Sequence, residues 1–145
     1  MGNNIIKTEL PENYEELKKA ANRTASWKAR YDAVVELAKY NHSQVKDILR
    51  TRLANDPVYK VQEAAFQSLL DFGEEAQLPK RKKFELVKGA NKVFVRVKKS
   101  LPKDHTFEDF LTKLKRMRID VYDTYEGDKG DEFKTWLENE WSNLK

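Results

Sequence analysis

The chain contains no cysteine, and only two of its 145 residues are histidine. Disulfides, thiol nucleophiles and thiolate metal centres are therefore excluded, and a histidine-rich metal site with them. Glycine (5) and proline (4) are scarce, which argues against a loop-rich or disordered chain. No run approaches the roughly 20 consecutive apolar residues of a membrane-spanning helix. Glycine-rich phosphate loops, Gly-x-Ser-x-Gly and His-Glu-x-x-His are all missing. The opening MGNNIIKTELPE has no basic stretch followed by an apolar one, so no secretory leader is expected. Ile6 stands where a myristoylation motif wants Ser or Thr. A reducing, cytoplasmic setting is the expectation, and the triplets Asn22-Arg23-Thr24 and Asn41-His42-Ser43 read as helix caps rather than glycosylation acceptors.

What is present is charge and helical periodicity. Charged residues make up 36% of the chain and hydrophobic ones 39%, enough for a single domain over residues 1–145. Leu10-Pro11-Glu12 reads as a helix entry, with Tyr14, Leu17 and Ala21 on one stripe. Ser26 caps a second helix carrying Trp27, Arg30, Tyr31, Val34 and Leu37. Asn41-His42-Ser43 ends it and starts a third, with Val45, Ile48, Leu49 and Leu53. Asp56-Pro57 reads as an acidic N-cap with proline at the first helical position, and Gly73 as the matching stop.

Beyond Gly73 the pattern predicts a helix opened by Pro79 and interrupted at Gly89. Val93-Phe94-Val95-Arg96-Val97 alternates like a strand, yet a lone strand would leave its ladder groups unpaired, so helix is expected. Asp104 or Thr106 caps a helix whose apolar stripe runs from Phe107 to Tyr125, and Gly127-Asp128-Lys129-Gly130 reads as a turn. A last helix carries Phe133, Trp136, Leu137, Trp141 and Leu144. The fold class expected is all-α.

An internal register accompanies these helices. Shifting the chain by 32 residues sets Trp27 on Tyr59, Ala29 on Val61, Ala33 on Ala65 and Leu37 on Leu69, and a second shift adds Val93, Val97 and Leu101. The stretch Asp56-Pro57-Val58-Tyr59-Lys60-Val61-Gln62-Glu63-Ala64-Ala65, running on through Leu69 to Gly73, resembles the HEAT repeat family. Gln62 departs from the arginine usual there, which Arg30 keeps in the preceding repeat. The resemblance covers residues 26–103 and is best up to Gly73. It implies a short right-handed α-α superhelix, preceded by an N-terminal helix (1–25) and closed by a C-terminal capping helical pair (104–145). It also implies a broad binding face rather than a small-molecule pocket.

Catalysis finds little to work with. His42 and His105 read as capping or surface residues, with no nucleophile beside them. The acidic run from Asp120 to Glu132 fails as a calcium loop, because setting Gly127 or Gly130 at the sixth position puts Tyr122 or Tyr125 at the first. It reads instead as a solvated turn. No catalytic residue, cofactor or metal is expected.

The charge is unevenly spread. Residues 1–79 carry a net −1, residues 80–118 carry 14 basic against 4 acidic side chains, a net +10, and residues 119–145 a net −5. The expected activity is that of a non-catalytic macromolecule-binding scaffold or adaptor, with a protein as its first partner and no membrane. The expected carriers are Lys46, Arg50 and Arg52, continuing through Lys80, Arg81, Lys82, Lys83, Lys88, Lys92 and Arg96. Nucleic acid is the alternative partner, since such a block also attracts phosphate backbones. A HEAT-like DNA-glycosylase type of repair protein is a remoter one, because the chain is short and shows no pocket motif. The opposing account is a solvated face neutralised by the acidic C-terminal helices.

Overall fold

A computed structural model describes residues 6–81 and 86–144. Among these are eight α-helices: α1 (Tyr14–Ala21), α2 (Trp27–Leu37), α3 (Ser43–Asn55), α4 (Tyr59–Asp71), α5 (Ala90–Lys99), α6 (Phe107–Met117), α7 (Ile119–Lys129) and α8 (Phe133–Ser142). The described residues form no strand; one isolated bridge joins Lys7 to Tyr40. No described helix is long and apolar enough to cross a membrane. The chain divides into two compact units, Met1–Arg81 and Lys82–Lys145, with the boundary inside the basic run.

The first unit pairs α1 with α2 and α3 with α4, and sets α2 beside α4. Its core gathers Val34 and Leu37 from α2, Val45 and Leu49 from α3, and Val61, Ala65 and Leu69 from α4. The Ser26 hydroxyl accepts from the Ala29 N–H as the expected cap. His42 caps α3 with its ring, Nδ1 accepting from Gln44 N–H at 3.1 Å. Gly73 stops α4 at φ +83°, while Gly73 N–H bonds Leu70 O and Glu74 N–H bonds Leu69 O, the paired closure of a Schellman ending.

Asp56 corrects one expectation. It is not the N-cap of α4, which begins at Tyr59 after Val58. Instead it turns the chain by accepting from Val58 N–H at 2.9 Å and lies buried against Arg30 and Arg52. Among the described residues no helix opens at Pro79: Pro79–Arg81 is irregular and α5 begins at Ala90, while Phe84 lies outside the described residues.

The second unit is built around α7, whose Val121, Tyr122, Asp123, Thr124, Tyr125 and Gly127 are all buried. Helices α5, α6 and α8 supply Phe94, Phe110, Leu114 and Leu137 to the same core. Two boundaries differ from expectation here. The stripe from Phe107 to Tyr125 is two helices, broken at Arg118 (φ −141°), which closes α6 and opens α7. Gly127–Lys129 is helical rather than a turn; the chain turns at Gly130, where φ is +59°. Buried Asp123 is likewise no part of a solvated turn. Val93 and Val97, aligned above with the first two repeats, pack with Phe110 and Tyr125 of the second unit's core. Helices α6, α7 and α8 thus share one core with α5.

Candidate polyanion-binding face

Helix α5 begins after Gly89, which adopts the left-handed conformation at φ +78°, open to glycine at no steric cost. From there the alternation of Val93, Phe94, Val95 and Val97 resolves as helical. Ala90, Val93, Phe94 and Val97 make one buried stripe, and the Phe94 ring meets those of Phe110, Tyr125 and Trp136 at 6.1–6.3 Å. Packing of this stripe outweighs the strand preference of its β-branched residues, because the core lies on one side only.

Opposite the stripe, Lys92, Arg96 and Lys99 fall on one exposed face at spacings of four and three residues, with Lys88 in the preceding turn and Lys103 beyond the C-terminal end. Residues 86–103 contain six basic side chains and no acidic one. Lys88, Lys92, Arg96, Lys99 and Lys103 enter no ion pair among the described residues. Lys98 behaves differently. Its ammonium bonds the Trp141 and Leu144 carbonyls at 2.9 and 3.0 Å and sits 5.4 Å above the Trp141 ring, closing the C-terminus of α8 and tying it to α5. The acidic C-terminal segment therefore takes one lysine of this helix through carbonyl oxygens and leaves the outer face charged.

The other expected carriers lie elsewhere. Lys46 and Arg50 both pair with Glu74. Arg52 is not an exposed carrier: its side chain is 14% exposed and bonds Asp56 at 3.0 Å. Lys80 and Arg81 are exposed, Arg81 resting 5.6 Å over the Tyr59 ring. Lys82 and Lys83 fall outside the described residues. Lys99, three residues beyond Arg96, joins the α5 face.

The histidines and tryptophans are used structurally. His105 Nε2 accepts from Trp141 Nε1 at 2.9 Å, and Nδ1 lies 2.6 Å from the Pro102 carbonyl, which requires the Nδ1–H tautomer. Trp136 stacks on Tyr125 at 4.8 Å, and Trp27 meets Tyr31 edge-on. Lys115 on α6 lies over the Tyr122 ring, and Lys129 on α7 over Trp136. Arg118 grips Asp120 through two bonds of 3.0 and 2.8 Å, and these hold the Asp120 carboxyl below the usual carboxylate range. Burial raises the Tyr122 phenol above its ordinary value, with Glu126 and Glu108 adding to the effect. No group of three or more potential metal-ligating side chains occurs among the described residues.

The first unit also carries an open groove of about 1270 Å³ between α2 and α4. Ile6, Tyr31, Val35, Ala64, Phe66 and Leu78 are among its apolar lining, and Val35 is 45% exposed. Its rim mixes Lys39 and Lys60 with Glu63 and Asp71, so it presents no single sign of charge to a partner. No family model, curated protein or solved structure matches the chain.

Proposed function

We propose that this chain is a non-catalytic macromolecule-binding module that docks a polyanionic partner on the outer face of α5. One observation carries the reading: Lys88, Lys92, Arg96 and Lys99 are exposed beside no acidic neighbour within residues 86–103 and make no ion pair among the described residues. A cationic surface left unneutralised is energetically disposed to exchange counterions for a polyanion. The His105 ring nitrogens, satisfied by Trp141 and Pro102, support the non-catalytic side of the reading.

We also infer that α2 and α4 open two HEAT-like repeats. They lie side by side, and the aligned positions Arg30 and Gln62 each donate to a backbone carbonyl earlier in the chain. Arg30 donates to the Arg23 carbonyl ahead of α2, and Gln62 to the Leu53 carbonyl in the last turn of α3.

Retention on an immobilised sulfated polysaccharide tests the binding reading. The chain should be retained at low salt, and the Lys92→Gln, Arg96→Gln, Lys99→Gln variant should elute far earlier with an unchanged circular dichroism spectrum. Equal elution of the two would remove the α5 face from the proposal.

A further inference from the structure

The chemistry of the α5 face narrows its partner beyond a polyanion in general. We propose that it binds the phosphate backbone of a double-stranded nucleic acid without reading its bases. This rests on the polyanion reading above.

Three features of the surface select this partner. Protein interfaces are depleted of lysine and centred on aromatic or apolar anchors. The outward row here is Lys92, Arg96 and Lys99, while Val93, Phe94 and Val97 of the helix are buried and Val95 is half-buried. The same burial removes the apolar wedge that a membrane-surface helix inserts beneath the headgroups. Single strands are held on aromatic platforms that stack unpaired bases, whereas Trp136 is committed to Tyr125, and Trp141 to His105 and Phe107, within this unit. Cations without stacking groups hold phosphates and leave the bases unread.

The spacing agrees with this assignment. The seven helical steps from Lys92 to Lys99 rise roughly 10 Å. A duplex presents one phosphate charge per about 1.7 Å of its axis, so the row faces several phosphates at once. Lys98, bonded to the Trp141 and Leu144 carbonyls, holds α5 against α8. The row is thus displayed on a helix fixed before binding, which lowers the ordering cost of docking.

Fluorescence anisotropy of the whole chain tests the proposal with four probes at 50 and 200 mM salt: random-sequence duplexes of 20 base pairs, single strands of the same sequences, poly-glutamate, and vesicles of mixed neutral and anionic lipid. Duplexes of unrelated sequence should bind alike, and more tightly than the other probes. For four neutralised phosphates the duplex affinity should fall about 100-fold across this salt range. Lys92→Gln, Arg96→Gln, Lys99→Gln should flatten the logarithmic salt slope by about 2.7. Lys28→Gln, which alters an exposed cation of the first unit paired with Asp32, should leave the slope unchanged. Matching melting temperatures of parent and variants establish that the fold is retained. Tighter binding of single strands, poly-glutamate or vesicles than of duplex overturns the duplex assignment and leaves the polyanion reading standing. An unchanged slope in the triple variant overturns the site, and binding to none of the probes at 50 mM overturns both readings.

Discussion

Arg30 and Asp56 form a buried ion pair, with Nε 2.8 Å from Oδ2 and both side chains almost fully withdrawn from solvent. The pair joins α2 to the turn between α3 and α4, and the same guanidinium donates to the Arg23 carbonyl at 2.7 Å. Asp56 accepts in addition from Arg52 and from Val58 N–H. Desolvating these charges is costly, and the geometry offsets that cost only while every partner is in place.

The two partners are therefore unequal. Asp56→Ala strands Arg30 and Arg52 and frees Val58 N–H, so it should cost about 3–5 kcal/mol. Arg30→Met leaves Asp56 with two of its three donors and should cost clearly less. Urea unfolding of both variants measures the difference, and equal losses would show that Asp56 does not hold the junction through its several bonds.

Leu69 tests the packing of α4. It is 1% exposed in the core shared with α2 and α3. Leu69→Ala removes buried apolar volume that rigid neighbouring helices cannot refill, and should cost about 2–5 kcal/mol. A loss within half a kilocalorie, typical of surface substitutions, would mean that another face of α4 is buried.

Local chemistry was legible in the sequence wherever it acts over one helical turn. Ser26, His42 and Thr106 cap their helices, and Gly73 stops α4, because each bond spans only a few residues. Asp56 shows the opposite case. Asp-Pro suits an N-cap, but the carboxylate's principal partner is 26 residues away. Gly127 sits in a turn-like sequence, yet it lies buried in α7. The basic block was legible as composition. Which of its members are free was not, since the engagement of Lys98 depends on carbonyls 43 and 46 residues downstream.

Gly73 and Gly89 adopt positive φ, and a Cβ added at either would meet nothing within 4 Å. Their substitution therefore reports backbone strain without steric clash. Gly73→Ala and Gly89→Ala should each cost about 1–2 kcal/mol. Asn tolerates the left-handed region better, so Gly73→Asn should be milder than Gly73→Ala. Denaturation midpoints for the three variants check the order.

Two shifted groups give stability a dependence on pH. The folded carboxyl of Asp120 lies below its unfolded value, so its contribution is present above the ordinary carboxylate range and is lost as pH falls through the folded value. The pair with Arg118 is largely exposed, which limits this to less than about 1 kcal/mol. The Tyr122 phenol is raised, so its contribution is present below the ordinary phenol range and disappears as pH rises through the folded value. Denaturation midpoints of Asp120→Asn and the parent should converge toward acid pH, and Tyr122→Phe should flatten the alkaline decline. An alkaline limb unchanged in Tyr122→Phe would show that this phenol is not the group responsible.

Trp141 joins three parts of the second unit. Its indole N–H donates to His105, its ring tilts against Phe107 and Phe110, and Lys98 lies over its face while bonding its carbonyl. Trp141→Phe keeps a ring for Phe107 but removes the donor to His105, and should cost about 0.5–1.5 kcal/mol, as loss of one hydrogen bond does. Trp141→Ala also removes the aromatic contacts and the surface beneath the Lys98 ammonium, and should approach the roughly 3 kcal/mol of a large aromatic truncation. Lys98→Met preserves the aliphatic stem but leaves the Trp141 and Leu144 carbonyls without their cation. It should therefore loosen the end of α8, measurable as faster amide exchange from Asn139 to Leu144, while the centre of α7 stays protected. If exchange rose equally in α7, Lys98 would be supporting the whole core of this unit rather than closing one helix.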